Sequence, residues 1–169
     1  MSELLIQIVD ENDKVVHGGT MDEAQLGGLW HRIARVMVHD KVAGKYLLQK
    51  VAPNPYYDGG LWNTTASGHV DEGESYEQAA ARETAEEMGV VGLRLVEVER
   101  YVTETTKGDK VYRRHNVTYV AETHDAPSVN PNDEVEDTVW LSRDELLKLD
   151  SSEITDGLRH FITYIRNDN

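Results

Sequence analysis

The stretch from Ser75 to Gly89 limits this chain more than any other. Ser75 and Gln78, three residues apart, form a capping box, Ala79-Ala80-Ala81 favours helix, and Gly89 stands where a left-handed cap would end it. A helix is therefore predicted over residues 75–88. It gathers Glu83, Glu86 and Glu87 within about one third of its circumference. Like charges at i, i+3 and i, i+4 cost a few tenths of a kcal/mol per pair, so something should offset them. A hard divalent cation such as Mg²⁺, which takes oxygen ligands, would do so. Taken alone, the three residues also describe a solvated acidic helix face. The other side carries Ala81, Thr84, Ala85 and Met88, so the helix is expected to bury that side and present acid on the opposite one.

Strand-like segments surround this helix. Residues 5–9 and 15–16 flank a turn at Glu11-Asn12-Asp13-Lys14, and 33–38 and 46–51 flank a polar turn with Gly44. A loop marked by Pro53, Pro55 and Gly59-Gly60 leads to a short strand at 61–66. Residues 93–103 and 111–121 read as a hairpin turning near Lys107-Gly108-Asp109, and 137–141 as a further strand. Ser142 and Glu145 open a short helix to about Leu149, and 155–167 form an amphipathic helix with Leu158, Phe161, Ile162 and Ile165 on one face. The expectation is an α/β (α+β) fold, a mixed sheet sandwiched between helices, in one domain over 1–169.

Composition removes several function classes. The chain lacks cysteine, so disulfides, thiolate nucleophiles and cysteine-ligated metals are excluded. The formal net charge of −14 disfavours nucleic acid and anionic membranes as partners. No run of eighteen apolar residues predicts a membrane span, and the first residues lack a secretory pattern, so a cytoplasmic location is expected. An acidic protein acting on phosphates should carry a metal or a local basic cluster at its site.

From Gly68 the identities run Gly68, five residues, Glu74, seven residues, Arg82-Glu83, two residues, Glu86-Glu87, one residue, Gly89, then apolar Val90. Seven fixed identities match by chance at a given start roughly once in a hundred million. This pattern resembles the signature box of the Nudix hydrolases, with one departure: Thr84 stands where an aliphatic residue is usual, and its methyl group can pack there. The resemblance implies a Nudix fold and a metal-dependent enzyme in which water attacks a diphosphate chain. It implies Glu86 and Glu87 as metal ligands, Glu83 as a further ligand or the base, and the Gly68 carbonyl as an extra ligand. Arg82 would hold the glutamates by ion pairing, and Glu74 would brace the loop. Mg²⁺ is the implied metal, with Mn²⁺ an alternative. Glu134, in the run Asn132-Asp133-Glu134-Val135-Glu136, matches a recurring acidic ligand from a later loop, or belongs to a solvated acidic turn.

Outside the box, Leu29-Trp30-His31-Arg32, Leu47-Leu48-Gln49-Lys50, Gly60-Leu61-Trp62 and Gly68-His69-Val70 resemble the branch that contains isopentenyl-diphosphate isomerase and isomerase-like Nudix hydrolases. His31 and His69 match two of the isomerase's histidine positions. Ser67 falls where its cysteine belongs, and Arg114-His115-Asn116-Val117 lacks the glutamates expected there. The residues for protonating an alkene are missing and those for hydrolysis are present, so the two histidines are read as packing and hydrogen-bonding residues.

Substrate recognition is less legible. Trp62, Tyr56 and Tyr57 could stack on a base or pack within their loop. Lys50, Arg113 and Arg114 could contact phosphate or form a solvated strand face. The branch implies a nucleoside diphosphate or a derivative as substrate. A nucleotide-sensing module without catalysis is the alternative, and isomerase activity a weaker one. Homodimers are frequent in the superfamily, but no interface is legible.

Overall fold

A computed structural model describes residues 4–53, 59–125, 127–129 and 132–168. The strands are β1 (Ile6–Val9), β2 (Val15–Gly19), β3 (Trp30–Asp40), β4 (Lys45–Val51), β5 (Trp62–Asn63), β6 (Ala66–His69), β7 (Leu95–Lys107), β8 (Lys110–Thr123) and β9 (Val135–Ser142). The helices are α1 (Met21–Leu26), α2 (Tyr76–Met88), α3 (Arg143–Leu146) and α4 (Asp156–Asn167).

β3 organises the sheet. One edge pairs in parallel with β8 along its whole length, from Trp30↔Arg113 to Asp40↔Thr123. The other edge is shared in succession by β1, β6 and β4, all antiparallel. β7 extends the sheet beyond β8 as a long antiparallel hairpin, and β9 lies beside β4. Side chains alternate across a strand, so β3 feeds two cores. Ala34, Val36 and Val38 pack with Ala79, Ala80 and Met88 of α2, while Met37 packs with Leu158, Phe161 and Ile162 of α4. This is the mixed sheet between helices that the sequence predicts.

Some boundaries moved. The predicted strand at 61–66 is two strands, β5 and β6, because Thr64 and Thr65 turn inward, with Thr65 Oγ1 donating to the Leu47 carbonyl. α1 was not anticipated, although Thr20 and Glu23 form a full capping box that announces it. The short helix after Ser142 ends at Leu146 rather than Leu149.

The larger correction concerns α2. It is not acidic on its exposed side and apolar on its buried side. Tyr76, Ala79, Ala80, Glu83, Thr84, Glu87 and Met88 are buried, while Ala81 and Glu86 are exposed. These buried positions recur at helical spacing, so Glu83 and Glu87 lie on the very stripe that faces the sheet.

Candidate active site

α2 can bring carboxylates against the sheet because its partners there are small. The alanines at 79 and 80 let the helix approach, and Gly68 on β6 lies directly under Glu83: a Cβ at that position would collide with the Glu83 carboxylate. Ser75 caps the helix start, accepting from the Gln78 amide. Gly89 closes its end in the left-handed conformation, φ 67°, with its N–H donating to the Ala85 carbonyl. Thr84 donates to the Ala80 carbonyl at 2.7 Å and is buried, so the departure from an aliphatic residue is absorbed within the helix.

Arg82 is the hub of the box. Its Nε and Nη2 grip the two oxygens of Glu74, each at 2.9 Å, in a bidentate pair. Nη2 also donates to the His69 carbonyl at 2.9 Å and lies 3.4 Å from Asp71. Nη1 donates to Glu83 at 2.7 Å and to Glu86 at 3.1 Å. The Arg82 hydrogen bonds hold the Glu74 carboxyl below its usual range. The loop from His69 to Glu74 is thereby clamped to the helix, and Gln7 of β1 adds a 2.6 Å bond to the Glu74 carbonyl.

Glu87 lies deepest. One of its oxygens accepts from Gln49 Nε2 at 2.7 Å and from the Ser67 amide at 3.0 Å. Burial, and then the charge of Glu83, push its carboxyl up to about 8. Burial pushes Glu83 up to about 7 against the pull of Arg82. Glu134 is exposed, and its charge adds slightly to the rise of both carboxyls. Asn132 positions that turn: its Nδ2 donates to the Glu87 carbonyl at 2.8 Å and its Oδ1 accepts from the Glu134 and Val135 amides.

This donor set is hard oxygen with surplus negative charge in a desolvated place. It fits a divalent cation, which would offset the desolvation and the mutual repulsion that raise the Glu83 and Glu87 carboxyls. Among the described residues no three acidic or histidine side chains already converge on one point.

The residues expected to bind substrate are scattered. Lys50 lies 3.5 Å from Glu136. Trp62 packs into the core beneath α4, and its backbone bonds to Glu153 and Thr155. Neither joins the glutamates. Tyr56 and Tyr57 lie outside the described residues. Arg113 is tied to Glu104 at 2.7 Å and to the Gly28 carbonyl at 3.0 Å. His31 and His69 are buried and stack at 5.2 Å, as packing residues do. Burial lowers the His31 imidazole to about 4 and takes His69 well below the usual histidine range. Sequence reasoning missed Gln49, Ser67, Asp71 and Asn132. Only Asp71, inside the box, carried a local signal.

The comparisons with known proteins agree with this fold. The model of the NUDIX domain matches residues 29–162. An uncharacterized Nudix hydrolase of Yersinia pestis is 25% identical over 164 residues, covering 97% of this chain and 87% of its own. An isopentenyl-diphosphate Delta-isomerase of Pectobacterium atrosepticum is 35% identical over 142 residues, covering 83% of this chain and 78% of its own. In three dimensions, the DR0079 protein of Deinococcus radiodurans superposes with a TM-score of 0.75 at 18% identity, over 94% of this chain and 97% of that one. A carboxylate-bearing helix clamped by an arginine to a glycine strand thus defines the class, an enzyme acting on pyrophosphate bonds. The chain belongs to the Nudix family.

Proposed function

We propose that the chain hydrolyses the diphosphate linkage of a nucleoside diphosphate or a nucleoside diphosphate derivative. The observation that carries this reading is the buried pair Glu83 and Glu87 over Gly68, with carboxyls raised to about 7 and about 8. A carboxylate oxygen whose proton affinity lies near neutrality suits proton transfer from water. The water oxygen attacks a phosphorus, the anhydride P–O bond breaks, and the leaving phosphate takes the bonding electrons. Glu83 or Glu87 accepts the water's proton. Arg82 holds Glu83 and Glu86 in place, and the Gln49 and Ser67 donors fix Glu87. A divalent cation, Mg²⁺ first and Mn²⁺ as the alternative, would be held by Glu83, Glu86, Glu87 and Glu134, with the Gly68 carbonyl, and would neutralise phosphate oxygens and acidify the attacking water.

The 35% identity to an isomerase favours a second reading, alkene isomerisation. Ser67 and the absence of any cysteine oppose it, because no thiol is present to move a proton at carbon. A phosphate-release screen with Mg²⁺ tests both. It should include nucleoside di- and triphosphates, nucleotide sugars, dinucleotides and isopentenyl diphosphate, each with wild type and Glu87→Gln. Turnover of a nucleotide class that the variant loses is the expected result. Conversion of isopentenyl diphosphate without phosphate release would favour the isomerase. Nucleotide binding with no turnover under any divalent metal would favour a sensing module.

A further inference from the structure

The face of the sheet turned away from α2 reverses the chemistry of the box. Arg35, on β3, is only 8% exposed, and among the described residues its guanidinium pairs with no carboxylate. Its Nη2 makes one long bond, 3.4 Å to Asn116 Oδ1, and its Nε has no acceptor. A buried cation without an anion is strongly destabilising, whereas a bound anion removes that cost.

The surroundings add positive potential. Gly157, in the first turn of the twelve-residue α4, packs so closely that a Cβ there would collide with the Arg35 guanidinium. The N-terminal end of a helix repels a cation and attracts an anion. Arg114 stands on neighbouring β8, and the charges of both arginines reach His69. The hydroxyls of Thr118 and Tyr101 are also buried here, and Arg35 and Thr118 both approach the Tyr101 oxygen. Glu99 stands in the same cross-strand row, opposite Thr118, and among the described residues no ion pair joins it to Arg35.

We infer that Arg35, Arg114, Asn116 and the first turn of α4 form a pocket for a phosphoryl oxyanion, and that this pocket takes a phosphate group of the substrate. A planar guanidinium fork suits phosphate oxygens. The pocket and the box share strand β6: Arg35 stands opposite Ser67, whose amide donates to Glu87. A groove of about 550 Å³ between β7 and α4, with Thr103 and His160 in its wall, opens beside it. Thr103 accepts from Asn116, and His160 stacks on Tyr101 at 3.9 Å, so the groove adjoins the pocket through these contacts. The role in substrate binding rests on the hydrolase reading, but the oxyanion site does not.

The test uses the whole chain in EDTA, which would stop the proposed metal-dependent turnover, with inorganic phosphate and ADP as probes. Binding is followed by calorimetry and by the thermal midpoint. Both probes should bind wild type and Glu87→Gln, raise the midpoint by about 2–4 °C, and compete with each other. Arg35→Met should weaken both on the order of tenfold or more and, without an anion, should melt higher than wild type. Asn116→Asp, which supplies an internal carboxylate, should also lose phosphate while remaining folded. Unchanged phosphate affinity in Arg35→Met, or no phosphate binding by wild type, would overturn the pocket. So would a lower anion-free midpoint in Arg35→Met, because Arg35 would then serve the fold. If phosphate binds but ADP does not displace it, the assignment to substrate falls. Failure of the hydrolase reading would show instead as absent phosphate release with Mg²⁺ while this binding persists.

Discussion

Two buried sites lie on opposite faces of one sheet, and their charge imbalances have opposite signs. On the α2 face, Glu83 and Glu87 are buried, and Arg82 pairs with Glu83 but not with Glu87. On the α4 face, Arg35 is buried and, among the described residues, pairs with no carboxylate. A fold selected only for stability would pair these charges with each other or exclude them, since an unmatched buried charge costs several kcal/mol. β6 and β3 keep them apart, and the alternation of strand side chains sends Gly68 to one face and Ser67 to the other. The contrast teaches that the two faces suit opposite ligands: under the proposed hydrolysis a cation would sit at one and a phosphate oxyanion at the other.

The largest expected effect separates the two faces chemically. Glu87→Gln should cut phosphate release by about 10²–10⁴-fold while leaving phosphate binding in EDTA intact, as steady-state assays and calorimetry would show. Loss of both together would mean that the faces are one site. Gly68→Ala comes next. Its methyl group would displace the Glu83 carboxylate, so activity should fall and denaturant melts should show a loss of about 1–3 kcal/mol.

The pH dependence of stability probes the α2 face alone. Glu83 and Glu87 have folded values of about 7 and about 8, raised above the 4.5 of an unfolded glutamate. A group raised on folding contributes its stability below the unfolded value and loses it as pH climbs through the folded one. Metal-free protein should therefore weaken from about pH 4.5 to pH 8. Mg²⁺ should restore more of the thermal midpoint at pH 8 than at pH 5. A flat profile in EDTA would show that the carboxylates are not desolvated together. The smallest effect tests the helix end that supports the box. Gly89→Ala puts a side chain at φ 67° with free space around it, and should cost about 1 kcal/mol without changing the pH profile.

Local sequence fixed much of this molecule. The α2 helix, its Ser75–Gln78 capping box and its Gly89 cap depend on contacts within a few residues, and so does the hairpin of β7 and β8. The glutamate spacing and the arginine beside it were likewise legible, because an i, i+4 geometry needs no knowledge of the rest of the chain. α1 carries the same kind of local signal, in the capping box of Thr20 and Glu23. Which side of α2 meets the sheet was not legible, because that depends on where Gly68 leaves room. Nor was the isolation of Arg35, which depends on β3 pairing with β6 and β8 and on α4 presenting Gly157. Asn132 reaches the Glu87 carbonyl across 45 positions of sequence, and Arg35 reaches Asn116 across 81. Sequence by itself determined the elements and the reactive groups, because propensity and capping act locally. Tertiary structure alone decided which charges were buried and left without partners, because desolvation is a property of everything packed around a group.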